Sequence, residues 1–314
     1  MEEGYRGSGD LTISKLITHD LGTDHTLPAD MTFTMKVTLS GIGTANKTFT
    51  AEHTNSSVSS VTTNENGEFT VTLKHGERFA VFGLPAGTVA KVVEQTQLAG
   101  FTPTYMEDGI AGDGSVTIAK GVISTVIVVN DYEAKEVYPV DVIVTGTKFL
   151  SGRDWKDTDS FTFELQKYID GEWQTIATDT ATKAKQTLSF ANAFANAKYT
   201  QTGVYYYRVT EIEPASDAIG GVSYDKTVHA FGVIVTDKDM DGQLEISEVR
   251  SYRESTKVTA PSGEDKNWNV DIDFTNKYSA AGSATVTVDL NKVVTNVGGS
   301  PLGALAGFKF ALYN

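Results

Sequence analysis

A lysine on the apolar face of a strand is the feature of this sequence that most narrows what it can fold into. In VDVIVTGTKFL (140–150), residues Val140, Val142, Val144, Gly146, Lys148 and Leu150 share one parity. Alternate side chains of a strand share one face. Four of these residues are aliphatic and Gly146 adds no polar group, so this is the expected core face, and Lys148 stands on it. Burying an unpaired charge costs several kcal/mol or more, so such a group is neutralised or paired. A single lysine here could be an edge residue whose head reaches water. Recurrence argues otherwise.

The pattern appears three times. In LTISKLI (11–17), Leu11, Ile13, Lys15 and Ile17 share a parity. MTFTMKVTL (31–39) alternates, and residues 67–95 read as strands broken by Gly and Pro turns, with Ala90, Val92 and Glu94 on one face. Residues 115–133 close this unit with Val126, Val128 and Asn130 on one face and Tyr132 following. After a short polar joint, AKEVYPV (134–140), the order repeats. Lys148 opens the second unit, SFTFELQKY (160–168) alternates, Tyr205, Tyr207, Val209 and Glu211 share a face, and Ile272, Phe274 and Asn276 close it. A third start places Val286, Val288, Leu290, Lys292 and Val294 together, and GFKFALYN (307–314) resembles SFTFELQ. The expected organisation is one β-sandwich over 9–135, a second over 136–279, and the first strands of a third over 280–314. The Glu and Asn strands of that third unit would lie on a longer parent chain.

Composition supports an all-β chain and removes several functions. Thr and Val are abundant, Gly, Asn, Asp and Ser fill the polar segments, and no helical periodicity of Leu, Ala, Glu and Lys appears. A net charge of −14 argues against a sequence-independent grip on nucleic acid or anionic lipid. The absence of cysteine removes disulfides and thiolate chemistry, and no run of 18 apolar residues is present to span a membrane. The polar start, MEEGYRGSGD, has no signal-peptide character.

Lys, Glu and Asn buried together can react. Desolvation lowers an amine pKa and raises a carboxyl pKa, giving a neutral amine beside a protonated acid. The amine can attack the Asn side-chain carbon while the acid polarises the carbonyl and moves protons. Ammonia leaves and a Lys–Asn isopeptide bond remains. Contact geometry supplies roughly 7–11 kcal/mol of the barrier. The reaction happens once per domain, so it is self-maturation and not enzymatic turnover, and no cofactor is required.

These motifs resemble the isopeptide-bonded domains of Gram-positive surface pilins and adhesins. VTGTKFLSGR, FTFEL, YYYRVTEIEP and FTNKY are similar to the pilin-shaft isopeptide domain across 138–279. LTISK, GEFTV, GLPAGT, VVEQTQLAGF and VVNDY resemble the B-type repeat domain of collagen adhesins and pilins across 9–133, although this Glu motif lacks the usual upstream aromatic. The resemblance implies tandem immunoglobulin-like β-sandwiches. It pairs Lys148 with Asn276 and Lys15 with Asn130, with Glu211 and Glu94 as the bond-forming acids, Glu213 as the alternative acid in the second domain, and Lys292 as the third domain's lysine. It further implies a stalk or shaft segment outside the cell, wall-anchored through parts not in this chain, with neighbouring domains as partners. The alternative is an adhesin, Ca²⁺-dependent or not, that binds host matrix protein or glycan.

DKDMDGQLEISE (237–248) places Asp237, Asp239, Asp241 and Glu248 at calcium-ligand spacing. The β-branched run before it and the alternation after it favour a hairpin turn, so no metal is expected. His19, His25, His53, His75 and His229 show no metal-ligand spacing.

Overall fold

A computed structural model describes residues 7–22, 25–54, 58–216 and 218–280, together with Lys292, Val293, Thr295, Gly298 and Lys309. Residues 1–278 form one compact unit and 279–314 another. The first unit contains two sandwiches, and among the described residues no sheet mixes strands from both. The all-β reading holds: among the described residues the one helix, Ala191–Ala195, is five residues long and serves to bury Phe194.

In the first sandwich a seven-stranded sheet runs, in spatial order, Ser59–Thr62, Thr48–His53, Arg78–Pro85, Ser8–His19, Ile123–Tyr132, Phe101–Glu107 and Ile110–Gly112. It faces a four-stranded sheet ordered Ser115–Thr117, Val89–Glu94, Phe33–Ser40 and Glu68–Leu73. Strict alternation drives this packing. Leu11, Ile13, Lys15 and Ile17 point inward from the opening strand, and Phe33, Met35, Val37 and Leu39 point inward from the facing sheet.

The second sandwich sets Val142–Ser151 and its neighbours against a five-stranded sheet of Glu172–Thr182, Ser160–Ile169, Gly203–Ile212, His229–Thr236 and Glu245–Ser251. The inward face of its opening strand starts later than expected. Val142 and Val144 are buried, but Val140 precedes the strand and is 56% exposed, and Leu150 is half-buried. Only two aliphatic residues therefore precede the lysine on the core face.

In both sandwiches the first strand pairs in parallel with the last, and the register is the same. Lys15 lies opposite Val128 and Ile17 opposite Asn130. Lys148 lies opposite Phe274 and Leu150 opposite Asn276. Each asparagine thus sits two residues beyond the partner of its lysine, on the same inward face. In the second sandwich the last strand is broken into Trp268–Asp271 and Phe274–Tyr278, both running alongside Val142–Ser151. Gly146 faces the break, where a Cβ would lie 2.2 Å from the Ile272 carbonyl oxygen. Gly146→Ala should therefore push the two strands apart two residues before Lys148. The expected cost is about 1–3 kcal/mol, measurable by chemical denaturation.

The joint at 134–140 is stitched in place. Lys135 exchanges backbone hydrogen bonds with Gly242 (3.0 Å) and Leu244 (3.1 Å), and Val137 with Tyr199 (3.1 and 2.9 Å). The phenol of Tyr132, 1% exposed, donates to Asp237 Oδ2 at 2.5 Å and accepts from the Gly242 amide at 2.7 Å. The Asp/Gly turn is a hairpin between His229–Thr236 and Glu245–Ser251, as its flanks predict, and it seats the end of the first sandwich.

A buried lysine, glutamate and asparagine in each sandwich

The three residue types that share inward faces in the sequence meet in space, twice. In the second sandwich Lys148 comes from the opening strand, Asn276 from the parallel closing strand, and Glu211 from Gly203–Ile212 in the facing sheet. All three side chains have 0% exposure. Lys148 Nζ donates to Asn276 Oδ1 at 2.5 Å and to Glu211 Oε2 at 2.8 Å, and Asn276 Nδ2 donates to Glu211 Oε1 at 2.7 Å. The rings of Phe161, Phe163 and Phe274 lie 5.2, 5.5 and 6.0 Å from the amine and keep water out. Burial pulls the Lys148 amine below its usual range against the opposing pull of Glu211. Burial also pushes the Glu211 carboxyl up, against Lys148 and Asn276. Both directions favour a neutral amine beside a carboxylic acid.

One contributor was not visible in the sequence. The backbone N–H of Asp225 donates to Asn276 Oδ1 at 2.7 Å and to Glu211 Oε2 at 3.1 Å. The Asp225 carboxylate accepts from the amides of Thr227 (2.9 Å) and Thr275 (2.6 Å), tying its loop to the strand that carries Asn276. Burial would raise this carboxyl, but the Thr227 and Thr275 hydrogen bonds hold it below its usual range. Asp followed two residues later by Thr is an Asx-turn signal, which in a sequence says only that the chain bends.

In the first sandwich Lys15 and Asn130 are also 0% exposed, and the Glu94 side chain is 1% exposed. The contacts differ. Asn130 Nδ2 donates to Glu94 Oε1 at 2.9 Å, and Lys15 Nζ lies 3.2 Å from Glu94 Oε2, a contact without hydrogen-bond alignment. The amine is otherwise directed at the carbonyls of Leu16 (3.2 Å) and Val128 (3.5 Å), and it sits 4.4 Å from the Phe33 ring. Asn130 Oδ1 is buried with no hydrogen-bond partner among the described residues. Such an orphan acceptor costs about 1–3 kcal/mol. Burial lowers the Lys15 amine, with Glu94 opposing.

The remaining candidates separate from these sites. Glu213 is on the surface and pairs with Lys226, so it cannot serve as the second domain's acid. Lys292 is exposed and outside any strand, unlike the core-face position expected of it. The rest of the strands expected at 284–294 and 307–314 lie outside the described residues, apart from Val293 and Lys309, both exposed. One carboxylate oxygen each from Asp237, Asp239 and Asp241 comes within 4.8 Å of the others, with Asp237 buried and the other two exposed. Glu248 does not complete a calcium loop: it stands on the returning strand and pairs with Arg250 at 2.6 Å. A fourth carboxylate ligand from that strand is thus missing, because the chain returns as a strand and not as a helix.

The architecture is that of tandem β-sandwiches, each with a lysine, a carboxyl and an asparagine sealed in its core. Residues 144–279 match the family described as Spy0128-like isopeptide containing domain. That match falls on the second sandwich, the stretch whose motifs resemble an isopeptide domain. Residues 9–132 match a family described as a domain of unknown function, DUF7601. Among solved structures, the chain is similar to the pilus-presented adhesin Spy0125 at 20% identity, over 42% of this chain and 29% of that one, with a TM-score of 0.30. The major pilin protein T-13 from Streptococcus pyogenes is 13% identical over 87% of this chain and 98% of that one, with a TM-score of 0.19. A C-terminal fragment of the pilus adhesin SpaC from Lactobacillus rhamnosus GG is 13% identical over 87% of this chain and all of that one, with a TM-score of 0.25. This chain spans less than a third of the length of the Spy0125 adhesin. No curated protein matches it.

Proposed function

We propose that this chain is a structural segment of a Gram-positive pilus or surface adhesin, a stalk whose sandwiches are locked by self-formed Lys–Asn isopeptide bonds. The observation that carries this reading is the closed contact of Lys148, Glu211 and Asn276 in a dry core. As the core closes, the ammonium proton passes to Glu211, because desolvation disfavours both charges. The Lys148 nitrogen attacks Asn276 Cγ, and the amide oxygen takes up negative charge. Glu211 then gives a proton to Nδ2 and takes one from Nζ. The Cγ–Nδ2 bond breaks, ammonia leaves, and the Nζ–Cγ amide remains. Lys15, Glu94 and Asn130 take the same roles in the first sandwich.

The chemistry runs once and consumes its own residues, so the chain is not an enzyme. Its partners are the neighbouring domains of a longer parent, and its place is the cell surface. The bond would join residues 128 apart in the sequence, and by analogy with a disulfide a loop of that length is worth about 5 kcal/mol through the unfolded state. Intact-protein mass tests the reading. The purified chain should be lighter than its sequence by two molecules of ammonia, with Lys148–Asn276 and Lys15–Asn130 peptides in a digest. An unshifted mass would sink it.

A further inference from the structure

We infer that the two sites mature at different rates, because the Asp225 backbone amide serves as an oxyanion donor at the second site and the first site has no counterpart among the described residues. The inference rests on the isopeptide reading above. Attack on an amide carbon moves negative charge onto its oxygen, and a donor fixed beside that oxygen beforehand stabilises the tetrahedral state. At Asn276 such a donor is in place, with Asp225 N–H 2.7 Å from Oδ1. The same oxygen takes a 2.5 Å contact from Lys148 Nζ, which holds the attacking nitrogen beside the carbonyl. At Asn130 the equivalent oxygen meets no donor among the described residues, and Lys15 Nζ is turned toward Glu94 and two backbone carbonyls.

The donor is held by its own side chain. Asp225 Oδ2 accepts from the Thr275 amide, one residue before the reacting asparagine, and Oδ1 accepts from Thr227. The loop is thus pinned to the strand whose side chain it polarises. The carboxylate is a positioning group, and the amide is the group that touches the reacting oxygen. The oxyanion on Asn276 collapses as Nδ2 leaves with the proton from Glu211, and the amide proton of Asp225 is never transferred.

The full chain, pulse-labelled during synthesis and sampled at intervals, tests this by quantifying the two crosslinked peptide pairs after digestion. The Lys148–Asn276 pair should appear first, at least about tenfold faster than Lys15–Asn130; one oxyanion donor is commonly worth about 10²-fold or more. Asp225→Ala, which frees the loop, should slow the second site about tenfold or more. It should leave the first site's rate unchanged, and a melting transition retained for the second sandwich reports that the variant folds there. Asp225→Asn keeps one of the two side-chain acceptors for the loop and should restore part of the rate, which loss of bulk packing would not explain. Equal rates at the two sites, or a second-site rate unmoved by Asp225→Ala, overturn the inference while leaving the isopeptide reading intact. No crosslinked peptide at either site overturns both.

Discussion

Glu211→Gln leaves Lys148 and Asn276 unjoined, and the chain stays one ammonia heavier than wild type. The substitution keeps the shape of the side chain and a carbonyl oxygen to face Lys148, but removes the only carboxyl that contacts both reacting groups among the described residues. Glutamine cannot take the ammonium proton, so the amine has no route to its neutral form inside the core. The second domain then loses the loop closure, about 5 kcal/mol. For a domain of this size that corresponds to a fall of roughly 15–20 °C in melting temperature. Asn276→Ala separates the two contributions. It also forbids the bond but keeps the Lys148–Glu211 pair at 2.8 Å. A comparable fall in both variants assigns the loss to the crosslink; a fall confined to Glu211→Gln assigns it to the Lys148–Glu211 contact of an uncrosslinked core and counts against the bond. The first domain's crosslink should persist in both, since the two triads share no residue and distant sites are close to additive. A Glu211→Gln chain with the wild-type mass would remove Glu211 from the chemistry.

The triads were legible because a strand's side-chain alternation is a property of the backbone and survives any tertiary arrangement. Parity alone placed Lys15, Lys148, Glu94, Glu211, Asn130 and Asn276 inward, and each is there. Strand ends were less legible. Val140 has the right parity, yet it is exposed because pairing with the closing strand begins only at Val142. The hairpin at 237–248 was readable from its β-branched flanks. Its contact with Tyr132 was not, since that depends on how one sandwich meets the next. Asp225 was hidden for a different reason. It contributes a backbone N–H, which every residue but proline carries, and only the path of its loop directs that group at Asn276. The unpartnered oxygen of Asn130 is likewise a fact of side-chain rotation, on which the period of the sequence is silent.

Under tension the crosslinked chain should not release the interior of its second domain at all. The opening and closing strands are parallel, with Lys148 opposite Phe274 and Asn276 two residues on, so load entering at one strand leaves through the other. Without the bond, those strands are held by backbone hydrogen bonds and side-chain packing, and the domain unfolds when they part. With it, force passes through one amide, and the residues between Lys148 and Asn276 carry none. Pulled from its two ends in a single-molecule experiment, the Asn276→Ala chain should show an added unfolding step. Its contour gain is roughly 400 Å, from 128 residues at about 3.3–3.6 Å each less the folded span. Wild type should lack that step at forces well below those that break covalent bonds, and Asn130→Ala should add a comparable step for the first domain. The step sizes matter more than the forces, because only a covalent closure at Lys148 and Asn276 hides that length of chain whatever the pulling speed. A wild-type trace that contains the long step would mean the strands are held by packing alone, and the domain would then stretch under load.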